Sequence, residues 1–158
     1  MISNSVNEKM ISFKELEKKI FKYVCELGCE ITRSILEAYD DAVAVKRDKQ
    51  KYRNKGKRAT CIKTVYGSVK YQRRIYGTIT ENGEKAYVYL LDAEMRMDKI
   101  GMISSNLAEK IAMTVTESPY RVTAETISST SGQSISASGV WNVMQRLGEK
   151  ISEEENTL

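Results

Sequence analysis

A chain of 158 residues, 41 % of them hydrophobic, has the length for one ordinary domain or two small ones and the apolar content for a folded core. Its net charge of +4 conceals a block: residues 46–76 carry twelve cations and one anion, whereas 1–45, 77–120 and 121–158 come to −2, −3 and −2. Histidine is absent, which removes the usual general base at neutral pH, and neither a membrane-length apolar run nor a signal-peptide pattern is present.

The first periodic segment opens at Ser12, which has Glu15 three residues on as a capping-box partner, while residues 1–11 show no period and are expected to fray. Leu16, Ile20, Tyr23/Val24, Leu27, Ile31, Ile35 and Ala38 then recur at spacings of three and four, the signature of one apolar stripe on a helix running to about Lys49. So long a stripe needs a partner surface: either the rest of the same chain, or a second copy in a helix pair or coiled coil. Cys25 and Cys29 share a helix face. With one further cysteine and no histidine they read as packing residues rather than zinc ligands, and three unpaired-looking cysteines fit a reducing cytosol.

Beyond the stripe, residues 46–58 read as the helix end followed by an exposed basic loop, with Gly56 as a stop or turn. A one-sign block of this size repels itself unless an anionic partner screens it, and nucleic acid is the first such partner to consider. Residues 60–66 and 68–76, rich in Thr, Val, Ile and Tyr around Gly67, read as a β-hairpin. Asn82-Gly83 marks a second turn, between 78–81 and a strand over 85–91, so that a small antiparallel sheet of three or four strands is expected. Lys51, Arg53, Lys55, Lys57, Arg58, Lys63, Lys70, Arg73 and Arg74 are the candidate phosphate contacts, since such contact requires only charge and reach. Arg73 and Arg74 point to opposite faces of a regular strand, so at most one of them faces a given ligand.

Residues 92–102 read as a connector or short helix with Met95, Met97 and Met102 as adaptable filler. Ser104 or Ser105 caps the next helix, whose apolar face is Leu107, Ala108, Ile111, Ala112 and Val115, and Pro119 closes it. A helix from Arg121 or Val122 to Ser129 follows, then a turn at Gly132, a buried Ile135, and a Ser136-capped helix from Ala137 to about Ile151. Val140, Trp141, Met144 and Leu147 form the apolar side of that last helix. This is a helix-turn-helix pattern, whose second helix would present Ser136, Ser138 and Asn142 to base edges, with Gln145 and Arg146 one turn on. Trp141 reads as core rather than as a stacking platform. The organisation expected is thus α+β: residues 1–59, a long amphipathic helix and basic loop, a candidate dimerisation segment; 60–91, a small antiparallel hairpin sheet; 92–151, a helical helix-turn-helix domain; 152–158, an acidic tail that frays or, if it folds, extends the last helix.

Taken together, Arg58-Ala-Thr-Cys-Ile-Lys-Thr-Val-Tyr-Gly-Ser-Val-Lys-Tyr-Gln-Arg-Arg-Ile-Tyr, Tyr87-Val-Tyr-Leu-Leu-Asp, Ser105-Asn-Leu-Ala-Glu-Lys-Ile and Ser131-Gly-Gln-Ser-Ile-Ser-Ala-Ser-Gly-Val-Trp-Asn carry a resemblance. The chain resembles the N-terminal, non-catalytic region of ISLre2-type transposases, a family also catalogued as uncharacterised transposase-like proteins. The resemblance implies recognition of mobile-element ends in double-stranded DNA, in a cytoplasmic, nucleoid-associated and bacterial setting. It also implies an RNase H-like catalytic region beyond this one, where three carboxylates would bind divalent metal. No catalytic or metal-binding residue carries over here. Asp92, Asp98 and Glu109 do not match that triad, so the chain itself is expected to be neither an enzyme nor a cofactor binder. A homo-oligomer, with a dimer favoured, is the expected state, with neither membrane nor small-molecule substrate as partner. The alternatives are a non-catalytic DNA-binding regulator, such as a truncated transposase acting as repressor or inhibitor, and a module for binding protein or RNA.

Overall fold

The computed structural model describes residues 10–97 and 99–157. The architecture is mixed α+β: five helices and one sheet in the order α1 (Phe13–Lys46), β1 (Arg53–Thr64), β2 (Gly67–Ile79), β3 (Lys85–Val88), α2 (Leu90–Glu94), β4 (Lys99–Ile100), β5 (Ile103–Ser104), α3 (Ser105–Val115), α4 (Tyr120–Thr130) and α5 (Ala137–Asn156). Among the described residues no helix is long and apolar enough to cross a membrane. The fraying expected of residues 1–9, the role of Asp98 and the end of the tail at Leu158 lie outside the described residues.

Helix α1 starts where its cap dictates. The Ser12 hydroxyl accepts from the Glu15 amide at 3.3 Å and the Glu15 carboxylate accepts from the Ser12 amide at 3.0 Å, so two orphan donors of the first turn are satisfied reciprocally. The face that α1 lays on β2 carries Cys25, Cys29, Leu36 and Asp40, spaced at four and seven residues, with Gly28 and Thr32 beside them. This bears against one of the two readings of the apolar stripe: among the described residues Leu16, Ile20, Val24, Leu27, Ile31 and Ile35 find no covering element and remain 40–56 % exposed. Small and polar residues occupy the inward face because they receive large groups from the sheet. The Tyr66 ring lies against Gly28, where an added Cβ would sit 3.2 Å from the ring, and its hydroxyl is 2.5 Å from that of Thr32.

The sheet runs β3-β2-β1-β5-β4. Strands β1, β2 and β3 form one antiparallel meander, with Ile62 opposite Val69, Thr60 opposite Tyr71 and Gly77 opposite Tyr87. Strand β1 begins at Arg53, so residues 53–58 are strand and not the expected basic loop. They pair with β2 between Arg73 and Gly77, across an irregularity between Asn54 and Lys57. The strand expected over 85–91 stops at Val88, and Leu90, Leu91 and Asp92 open the short α2, which buries Leu91. The two-residue strands β4 and β5 were not foreseen; β5 joins β1 in parallel at Lys63, whose amide donates to the Met102 carbonyl at 2.8 Å.

Helices α3, α4 and α5 enclose a second core of Leu107, Ala108, Ile111, Ala124, Ile127, Val140 and Val143. Ser104 caps α3 through the Leu107 amide and Ser136 caps α5 through the Gly139 amide. Pro119 is the N-cap of α4 rather than the end of α3, which closes at Thr116. Val122 faces outward while Thr123 is fully buried. Trp141 is 49 % exposed, which corrects its reading as core: Val140 and Val143 set the inward face, and the next position along a helix turns about 100° away.

The two cores meet at the reverse turn between β1 and β2. Val65 packs on the helical core and Tyr66, the next residue, on the core of α1 and the sheet. Gly132 lies against this turn and donates its amide to the Val65 carbonyl at 2.8 Å, and Ser68 donates to the Gln133 side-chain oxygen at 3.0 Å.

Candidate nucleic-acid interface

Folding sorts the cations of residues 46–76 into two groups. The first is committed to the fold. Arg74 donates to buried Asp40 through its amide (3.0 Å) and guanidinium (2.6 Å) and to Asp41 at 2.7 Å. Burial opposes the Arg74 charge, but the bonds to Asp41 and Asp40 outweigh it and raise its pKa; Asp41 in turn is held below the usual carboxylate range by Arg74. Arg73 forms an ion pair with Asp92 and stacks over the Tyr89 ring, 3.7 Å from its centroid. The Arg73 and Arg74 side chains are only 12 % and 18 % exposed, and both tie β2 to helices. Arg47 also turns inward, its guanidinium over the Tyr76 ring and bonded to the Ala44 and Tyr52 carbonyls.

The second group faces outward. Every residue of β1 from Arg53 to Ala59 is exposed, because α1 packs on the neighbouring strand β2 and not on this part of β1. Lys51, Arg53, Lys55 and Lys85 line one groove of about 380 Å³ with Gln50, Gly77 and Tyr87, and none of its lining residues is acidic. The turn into the groove is built by Asp48, whose Oδ1 accepts from the amides of Gln50 and Lys51 at 2.9 and 3.1 Å. Gly77 lets the Lys55 chain lie flat on β2, since an added Cβ would stand 3.0 Å from its Cε. Lys57, next along β1, lies 3.8 Å from Asp41, and Arg58 bonds the Lys57 carbonyl. Lys63 and Lys70 are exposed on the sheet face opposite Ile62 and Val69.

At the other end of the molecule, Asn142, Gln145 and Arg146 share an open groove with Trp141, Gly101, Lys150, Glu149 and Glu153. Ser136 and Ser138 stand at the start of α5, their hydroxyls 3.1 Å apart. This groove carries two acids and two bases, in contrast to the one at β1. The structure thus brings Lys51, Arg53 and Lys55 together and separates them from the α5 residues. Lys85, Gln50, Tyr87 and Trp141 were missed from sequence. Lys85 lies outside the charge block and reaches the groove only through its pairing with Ile79, a contact that the Asn82-Gly83 turn signal could have suggested. Among the described residues no cluster of three or more His, Cys, Asp or Glu is placed to hold a metal ion. Cys25, Cys29 and Cys61 are free thiols, and burial, then the nearby Cys25 and Cys61, pushes the Cys29 thiol up.

The molecule is therefore an α+β domain with a strongly cationic sheet end and a capped helical cluster. The chain belongs to an uncharacterised protein family, UPF0236, which it matches over residues 6–157. No curated protein and no solved structure matches it.

Proposed function

We propose that this chain is the DNA-recognition region of a transposase-like protein, binding the ends of a mobile element in the bacterial nucleoid while the strand-transfer chemistry is done by another part of the polypeptide. The region itself then needs neither metal nor cofactor. The observation that carries this reading is the acid-free groove lined by Lys51, Arg53, Lys55 and Lys85 at the open end of the sheet. A phosphate backbone is the partner for which such a surface is complementary over several adjacent charges. In this reading α4 and α5, joined through Gly132 and Ser136, act as a helix-turn-helix, and α5 offers Ser138, Asn142 and Gln145 to base edges. The division of charge between the two grooves suits a positioning surface paired with a nearly neutral reading head.

Binding of fluorescent duplexes between 50 and 200 mM salt tests this. Replacing Lys51, Arg53, Lys55 and Lys85 together by Gln is expected to weaken binding to all duplexes alike and to flatten the log–log salt slope by about 3 to 4, since each phosphate contact contributes roughly 0.9. Asn142→Ala is expected instead to narrow the preference among duplexes, by about 1–3 kcal/mol at the base it reads. An affinity that stays flat with salt in the unsubstituted chain would sink the proposal.

A further inference from the structure

Among the described residues the outward stripe of α1 has no counterpart. Every residue from Phe13 to Val24 is exposed, a length of about 18 Å at 1.5 Å per residue. The first residue of the helix to be buried is Cys25. The stripe continues as Leu27, Ile31 and Ile35 along the back of the part that does pack, on the side opposite Cys25, Leu36 and Asp40.

We propose that two copies of this chain pair through this stripe. Its spacing is regular: Leu16, Leu27 and Ala38 are 11 residues apart, as are Ile20 and Ile31, and Phe13, Val24 and Ile35. An 11-residue repeat averages 3.67 residues per turn, close to the α-helical value, so the seam runs almost straight along α1 and stays in register with a second helix bearing the same repeat. Most charged residues lie off the seam, so pairing desolvates few charges; Glu17, flanked by Phe13, Ile20 and Phe21, sits at its edge. The exposed apolar side chains, with Phe13 77 %, Tyr23 65 % and Tyr39 53 % accessible, present on the order of 1,000 Å² per chain. A standard stable interface takes about 800 Å² from each partner, and the largest apolar patch of a typical monomer is about 300–600 Å². The sheet lies on the far side of α1 and leaves the approach open. This pairing does not depend on the DNA reading, since none of the groove residues takes part.

Sedimentation equilibrium of the 158-residue chain across micromolar concentrations, without DNA, decides the matter. The expected mass is that of a dimer, and Ile20→Glu with Ile31→Glu is expected to raise the dissociation constant at least about 100-fold while the near-ultraviolet signal of the sheet tyrosines persists. If the double variant fails to fold, Ile20→Lys alone decides, because Ile20 is 54 % exposed and lies in neither core. A monomer at every concentration would overturn the proposal, as would a dimer that both variants leave intact or a monomer that binds lipid vesicles through the stripe.

Discussion

Replacing Asp40 by Ala is expected to lower stability by about 2–4 kcal/mol, read from the shift of a urea midpoint at constant slope. Asp40 is 1 % exposed and takes two bonds from Arg74, one from its amide and one from its guanidinium. Removing the carboxylate leaves a half-buried guanidinium with a single anion, Asp41, and an unsatisfied amide on β2. Asp40→Asn keeps an acceptor for the amide and should cost less. Asp41→Asn should cost much less again, because Asp41 is exposed. The sign with pH follows from the lowered Asp41 pKa: its contribution is full above the unfolded value of about 3.9 and is lost as pH falls through the lower folded value. The gap between the unsubstituted chain and Asp41→Asn should therefore close only in strong acid.

Gly132→Ala is expected to destabilise by about 3 kcal/mol, against a gain of about 0.5–1 kcal/mol for Gly148→Ala in α5. The contrast lies in what an added methyl would meet. At Gly132 it would overlap the Tyr66 carbonyl and stand 2.7 Å from the Cys25 sulfur, whereas at Gly148 it meets nothing within 4 Å. The Tyr66 carbonyl is backbone, locked between Thr64 and Gly67 by the hairpin, and cannot swing aside as a side-chain tip would. Relief requires moving the turn or α4, either of which strains the bond from the Gly132 amide to Val65. Thermal unfolding of the two variants side by side measures the difference.

Several parts of this fold were legible as sequence because the deciding interactions are local. The capping pairs at Ser12 with Glu15, at Ser104 and at Ser136 need only residues three positions away. The β1–β2 hairpin about Gly67 is also local, and within it the pleat buries Ile62, Thr64, Val69 and Tyr71 while Lys63 and Lys70 stay exposed. What escaped depends on distant partners. Residues 53–58 have the composition of a solvated loop, and only pairing with β2 extends them. The inward face of α1 is written in Cys, Gly, Thr and Asp, because Tyr66 and Arg74 supply the bulk and charge that these residues receive. Apolar periodicity alone thus points to the opposite face. The partners of Arg73 and Arg74 were invisible too, since Asp92, Asp40 and Asp41 come from other elements. Three cations of the candidate groove, Lys51, Arg53 and Lys55, were visible as charge, but the fourth was not, since Lys85 joins it through the β2–β3 pairing.

Two separate hydrophobic cores in so short a chain would ordinarily permit two melting steps, one for the helical cluster and one for α1 with its sheet. The reverse turn forbids this economy, because Val65 belongs to one core and Tyr66 to the other. Loss of either core withdraws support from a peptide unit that the other requires. Cooperativity in this protein is thereby concentrated in two neighbouring residues, and heat should find a single transition where the inventory of cores suggests a pair.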